Sequence, residues 1–210
     1  MKITWLGHAS FLIQSEETCL ITDPFAKRVG YPIYAGRADI ATVSHDHYDH
    51  NAVELLQGEP QVVNQTGEFS VDGMQITGLA TWHDKQQGKE RGRNIIFKIV
   101  AEGIAILHLG DLGHGLTPEL AAQLGAIDIL MVPVGGRYTV DADEAFAIVE
   151  LLKPRIIIPM HYKTPLCTIN LAPVEGFTMK FDRVVKLPYL WLEDGDLDRR
   201  SGVILLDYPN

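Results

Sequence analysis

Ser44-His45-Asp46-His47-Tyr48-Asp49-His50 is the stretch on which the reading of this chain turns. Three histidines and two aspartates fall within it as His-x-His-x-Asp-His. The apolar run 40–43 precedes it, and a helix-like segment, 51–56, follows. That context places the cluster on the turn leaving a buried strand, whose rigid end fixes the direction of the side chains. His45 and His47 are two apart, so on extended backbone they point the same way. Asp49 and His50, beyond the turn, face a second point nearby. Two ligands for one ion and two for its neighbour follow from this spacing. Imidazoles and carboxylates without a thiolate suit zinc, with manganese, iron or nickel as alternatives. A metal-free, histidine-rich surface turn is the plain alternative, and each further ligand candidate downstream weakens it.

The rest of the chain supplies strands whose ends carry such candidates. Residues 1–6 and 10–14 read as a hairpin turning at Gly7-His8-Ala9, and 18–22 as a third strand stopped at Asp23-Pro24. Residues 26–37 form a loop beside the cleft. Residues 61–64 are a short strand, and 67–81 are two strands around a turn at Asp72-Gly73. His83 then opens the most polar loop of the chain, with Lys85, Lys89, Arg91 and Arg93. Residues 94–100 and 104–109 form a hairpin that delivers Gly110-Asp111-Leu112-Gly113-His114. Thr117-Pro118-Glu119 opens a helix with proline in its first turn. Residues 127–132 and 155–159 are nearly all apolar and read as buried strands, the second delivering His161. Residues 141–153 are a helix, capped by Asp141, answered by Glu144 and ended by Pro154. Residues 184–187 and 203–207 are weaker strands on either side of an acidic turn, 193–198. Strands dominate the first half and alternate with helices in the second, which gives a mixed α/β domain built on two sheets.

Composition sets the outer limits. The chain has 210 residues, 46% of them hydrophobic and 21% charged, ordinary values for one well-cored domain. A net charge of −9 speaks against a general nucleic-acid surface. Cys19 and Cys167 are the only cysteines and lie far apart, so no disulfide framework is expected. No apolar run approaches the roughly 18 residues of a membrane span. The expectation is a cytoplasmic protein with a small-molecule substrate, no nucleic-acid or membrane partner, and homo-oligomerisation left open.

The His-x-His-x-Asp-His run after a strand, with Tyr48 as filler, resembles the signature of the metallo-β-lactamase superfamily. Trp5-Leu6-Gly7-His8-Ala9-Ser10 and Thr22-Asp23-Pro24-Phe25 are similar to the branch holding ascorbate-6-phosphate lactonase and the N-acyl-phosphatidylethanolamine phospholipase D. The resemblance implies a single domain over residues 1–210, of α/β (α+β) class. Its architecture would be a four-layer αββα sandwich with the site along one edge of the packed sheets. It further implies that His45, His47 and His83 take one divalent ion, that Asp49, His50 and His161 take a second, and that Asp111 bridges both. His8 and Asp23 match residues that support the site.

The implied activity is hydrolysis of a small lactone, ester, amide or phosphodiester by a hydroxide bridging two ions. Asp49 and His114 then compete with an ion-bound water as proton donor to the leaving group. His108, inside a strand, reads as packed behind the ions rather than binding them. Arg91, Arg137, Tyr138 and Lys163 are candidate substrate contacts, and the basic loop after His83 argues for an anionic substrate. Glycines 135 and 136 suit close backbone approach to a ligand. The competing readings are an iron-dependent oxidoreductase, a nuclease, and a non-enzymatic metal-binding protein. A flavin-using oxidoreductase would need an added domain for which 210 residues leave no room.

Overall fold

Apolar side chains alternate between two faces along the first strands, and that alternation divides the core. The computed structural model describes residues 1–16, 18–193 and 195–208. Its first strands are β1 (Lys2–Gly7), β2 (Ser10–Ser15), β3 (Thr18–Thr22), β4 (Ile40–Thr42) and β5 (Gln61–Val63). There follow β6 (Gly67–Val71), β7 (Met74–Trp82), β8 (Arg93–Ala101), β9 (Ile104–His108), β10 (Ile129–Pro133) and β11 (Ile156–Met160). The last are β12 (Val184–Leu187), β13 (Leu190–Trp191) and β14 (Gly202–Leu206). The helices are α1 (Pro118–Leu124), α2 (Ala142–Leu152) and α3 (Glu175–Thr178). One sheet has the order β13-β1-β2-β3-β4-β5 and the other β12-β14-β11-β10-β9-β8-β7-β6.

In the first sheet Ile3, Trp5, Phe11, Ile13, Leu20 and Ile40 pack towards the second sheet, into a cluster with Ile76, Phe97 and Ile106. Their neighbours Leu6, Leu12, Ile21 and Ala41 point the other way, into a separate cluster with Phe25, Val29, Tyr31 and Leu171. This is the period of two expected of pleated strands. β10 and β11 are buried at every residue and lie among parallel neighbours, which explains their unbroken apolar sequence. Asp141 and Glu144 form the capping box of α2, and Ala145, Ile148 and Val149 bury its inner stripe. The helices cover the second sheet. Among the described residues, the outer face of the first sheet is covered by loops and 3-10 turns instead of α-helix.

Strand direction gathers the candidate residues. β3 and β4 are parallel, and so are β9, β10 and β11. β1 runs with β3 because both are antiparallel to β2, and β7 runs with β9 because both are antiparallel to β8. His8, Asp23, the 44–50 turn, His83, Asp111 and His161 therefore leave their strands at like ends.

One expectation changes, and two short elements are added to it. Residues 51–56 hold only a 3-10 turn, Val53–Leu55, because the Ala52 amide donates to the Pro24 carbonyl at 2.7 Å and commits the chain to the loop after β3. α3 and β13, four and two residues long, are too short to leave a period in the sequence. In the acidic turn 193–198, Asp196–Asp198 form a 3-10 turn, while Asp194 lies outside the described residues. Among the described residues no helix is long and apolar enough to cross a membrane.

Phe97 is fully buried and pairs in register with Gly78 and His108. Phe97→Ala should cost about 3–5 kcal/mol in urea unfolding. Val62→Ala, at an exposed position, should stay within about 0.5 kcal/mol.

Candidate metal centre

Two groups of side chains converge at these strand ends. The ligand atoms of His45, His47 and His83 lie within 4.8 Å of one another, as do those of His8, Asp49, His50 and His161. Asp111 stands between the groups: its Oδ2 is 3.3 Å from Nε2 of His50, of His83 and of His161. All seven ligand candidates from the sequence are thus brought together, and His8 joins them. His45 Nε2, His50 Nε2 and Asp111 Oδ1 are buried without a hydrogen-bond partner among the described residues. Buried polar atoms are ordinarily satisfied, and imidazole nitrogens beside a carboxylate oxygen are a donor set that a divalent transition ion completes.

Hydrogen bonds behind the rings fix their orientation. Asp23 Oδ2 accepts from His50 Nδ1 at 2.9 Å and from the Ser44 hydroxyl at 2.7 Å, while Oδ1 accepts the Ser44 amide at 2.7 Å. The Ser44 oxygen in turn lies 2.9 Å from His45 Nδ1 and accepts its proton. In their neutral forms both imidazoles thus carry the proton on Nδ1 and turn Nε2 to the centre. His8 Nε2 donates to Asp49 Oδ2 at 3.2 Å. His108 faces away: its Nε2 donates to the Ala9 carbonyl at 2.7 Å, and its Nδ1 accepts the Gly110 amide at 3.3 Å. It braces the backbone beside His8 and Asp111 and touches neither side chain through a hydrogen bond. His8, Asp23 and His161 adopt φ of 54°, 39° and 52°, the left-handed region that costs non-glycine residues energy and that clusters at functional sites.

Sequence comparison places this geometry in a family. Residues 2–161 match the model of the beta-lactamase superfamily domain. A Thermotoga maritima protein assigned as a Zn-dependent hydrolase of the metallo-β-lactamase superfamily is 39% identical, with a TM-score of 0.84 over 99% of both chains. The chain belongs to the metallo-β-lactamase superfamily. A Pyrococcus furiosus protein named as a metal-dependent hydrolase is 33% identical over 195 residues, covering 78% of this chain and 85% of its own length. With these relatives, the chain is an enzyme of the metal-dependent hydrolase class. A diiron β-hydroxylase from Streptomyces venezuelae, 14% identical, aligns with 99% of this chain and 52% of its own at a TM-score of 0.61. That likeness is one of fold alone.

Within the hydrolase, several sequence-predicted contacts are placed differently. His114 is not a free proton donor: its Nε2 accepts the Trp82 amide at 3.2 Å and its Nδ1 donates to the Gly115 carbonyl at 2.8 Å. It holds the strand end next to His83. Lys163 does not reach into the cleft, because its ammonium donates to the carbonyls of Cys167 and Ile169. Gly135 meets protein, not ligand: a Cβ there would lie 2.1 Å from the His161 carbonyl. Gly113 likewise packs on the His83–Asp84 backbone, at 2.3 Å. Arg91 and Arg137 do gather at Tyr138, with guanidinium carbons 5.5 and 5.6 Å from its ring centre. The loop after His83 is not free to close. Asp84 accepts the amides of Gln86, Gly88, Glu90 and Arg91, and Lys85 pairs with Glu144 at 2.5 Å.

Two positioning residues escaped the sequence reading. Buried Asn94 accepts the Asp111 amide at 2.9 Å and donates to Thr81 and the Leu109 carbonyl. Ser44 is the other. A lone asparagine in an apolar strand was the available signal for the first; nothing marked the second. A cleft of about 860 Å³ opens beside His45 and His47, with Asn51, Trp82, Arg91 and Arg93 among its walls.

The electrostatics of the metal-free centre follow from burial. Burial, then the charge of His161, depresses His8 to about 4; burial, then His50, depresses His45 to about 3. Burial also lowers His83 and His108. Burial opposes ionisation of Asp111, but His161 and His50 outweigh it and hold the carboxyl well below the usual range. For Asp49, burial is outweighed by the His8 hydrogen bond and His50, again lowering the carboxyl. Burial of His50 is outweighed by Asp111 and Asp23, which raise it well above its ordinary value.

A histidine depressed in the fold takes its proton first in the unfolded chain, so its stabilising contribution is lost as pH falls from about 6.5 towards its folded pKa. His50, raised, contributes fully below 6.5 and does not change that trend. The chelated protein should therefore lose stability between about pH 6.5 and 4, by up to about 1.4 kcal/mol per pH unit for each such histidine. Melting curves over that range check it, and His45→Asn should flatten the limb. Gly135→Ala should displace His161 and weaken metal binding there more than at His45, His47 and His83, which titration of the chelated protein with zinc would read.

Proposed function

We propose that the enzyme holds two divalent transition ions, zinc first, in two sets that share Asp111, and that it hydrolyses a small anionic substrate. The observation that carries the reading is Asp111 Oδ2 lying 3.3 Å from three histidine Nε2 atoms, one in the first set and two in the second. His45, His47 and His83 would hold one ion, and Asp49, His50 and His161 the other. When bound, such a pair activates water at neutral pH and polarises the scissile carbonyl or phosphoryl oxygen. The chain's own residues supply the rest. Asp23 and Ser44 keep His45 and His50 in the tautomer that presents Nε2. His8 holds Asp49 in place and ionised. With His114 engaged on both nitrogens, Asp49 remains the side-chain candidate to take the proton that the attacking water releases and pass it to the leaving group.

Arg91, Arg93 and Arg137 place positive charge around the cleft of a protein whose net charge is −9, which favours an anion. The opening motif's similarity to the lactonase and phospholipase branch keeps lactones and phosphodiesters first among substrates. One domain over residues 1–210 and a cytoplasmic setting, in keeping with free Cys19 and Cys167, belong to the same reading.

Elemental analysis of protein purified without chelator should give close to two transition ions per chain, and one at most after zinc supplementation would sink the dinuclear reading. Asp111→Ala should lose at least one ion and all measurable hydrolysis. Asp23→Ala, which removes an orienting group rather than a ligand, should cost about 10–100-fold in metal affinity or activity. His114→Ala should keep both ions and turn over within about tenfold of wild type; complete loss with both ions bound would restore it as the proton donor.

A further inference from the structure

We propose that Arg28, stacked on Tyr48 within the His-rich motif, is the specificity-determining residue that grips an anionic group of the substrate, carboxylate or phosphate, remote from the bond being cut. The inference rests on the dinuclear hydrolase reading and deepens it. The guanidinium carbon of Arg28 lies 3.3 Å from the centre of the Tyr48 ring. Tyr48 sits between His47 and Asp49 and is 43% exposed, so the stacked pair is carried at the surface by the turn that bears the candidate ligands.

Its backbone is held from two sides. The Ala26 amide donates to the Tyr48 carbonyl at 2.9 Å, and the Thr168 hydroxyl donates to the Arg28 carbonyl at 2.7 Å. The Thr168 amide binds the Val29 carbonyl at 3.0 Å, and the Val29 side chain is fully buried. The 3-10 turn Lys27–Val29 thus presents Arg28 from fixed backbone. A guanidinium lying flat on an aromatic face keeps its N–H edges in plane and open, the geometry that takes a carboxylate or phosphate through two parallel bonds.

Three other cations of the region are committed, while among the described residues no carboxylate pairs with Arg93 or Arg137. Lys85 pairs with Glu144, Lys163 with two carbonyls, and Arg91 with Glu90 at 3.3 Å. Among the described residues no carboxylate pairs with Arg28. A cation so placed in an acidic protein, with its platform built into the motif, has an anionic ligand as its natural partner.

The test is calorimetric binding to the metal-loaded enzyme of succinate, glutarate, adipate and 3-phosphonopropionate, each against butyrate. One carboxylate is common to all five, so the second anionic group is the probe. The best-fitting diacid should bind about tenfold or more tightly than butyrate, the gain of a charge-assisted pair. Arg28→Met should bring that ratio towards one, Arg28→Lys should keep part of it, and Tyr48→Phe, which keeps the ring, should preserve it. The phosphonate arm, set against succinate, tells phosphate from carboxylate as the preferred group. No advantage of any two-anion ligand in the wild type, or an advantage that survives Arg28→Met, overturns the assignment. Metal content is measured on the same samples. An Arg28-dependent ratio in protein that takes up one ion at most would sink the dinuclear reading and leave Arg28 standing.

Discussion

The fully buried carboxylate of Asp23 accepts three hydrogen bonds, from the Ser44 amide, the Ser44 hydroxyl and His50 Nδ1, and so ties the end of β3 to the whole 44–50 turn. A buried carboxylate is costly unless its lone pairs are met, and three donors, one on an imidazole of raised pKa, meet them. The same contact reaches both ligand groups, His50 directly and His45 through Ser44. A single charge thereby sets two tautomers and two ring directions. The left-handed backbone of Asp23, at φ 39°, is a strain that the turn tolerates because these bonds over-determine it.

The strands explain why so many polar groups can be buried at one place. Parallel strands end together, so β3, β4, β9 and β11 deliver Asp23, the motif, Asp111 and His161 from rigid elements, not from free loops. The loops between are packed against one another: Gly113 on the His83 turn, Gly135 on His161, Asn94 across Thr81, Leu109 and Asp111. Even the polar loop after His83, which composition suggests is mobile, is organised around the Asp84 carboxylate.

That rigidity separates what the fold shares from what the chain alone decides. The same architecture carries a diiron hydroxylase at 14% identity, so the sandwich does not choose the chemistry. The relatives at 33 and 39% identity place the chain among metal-dependent hydrolases. The proposed recognition of substrate rests instead on Arg28, Arg91, Arg137 and the tyrosines beneath them, which sit on the turns around the centre.

The sequence by itself determined the strands whose period or apolar run is unambiguous, the capped helix 142–152, and the seven candidate ligands, because each of those follows a strand and strand ends are rigid. It also pointed to Asp23 and His8. It did not determine which side chains near the centre are already engaged. His114 and Lys163 are spent on backbone groups, and Arg28 is brought onto Tyr48 by bonds to Thr168, 140 residues along the chain. Ser44 gained its role only when the end of β3 arrived beside it. The pairings of His114 with Trp82, Arg28 with Thr168 and Asp23 with Ser44 join residues distant in the chain, those of Lys163 are local, and no periodicity or spacing encodes either kind. Only the packing of the two sheets decided them.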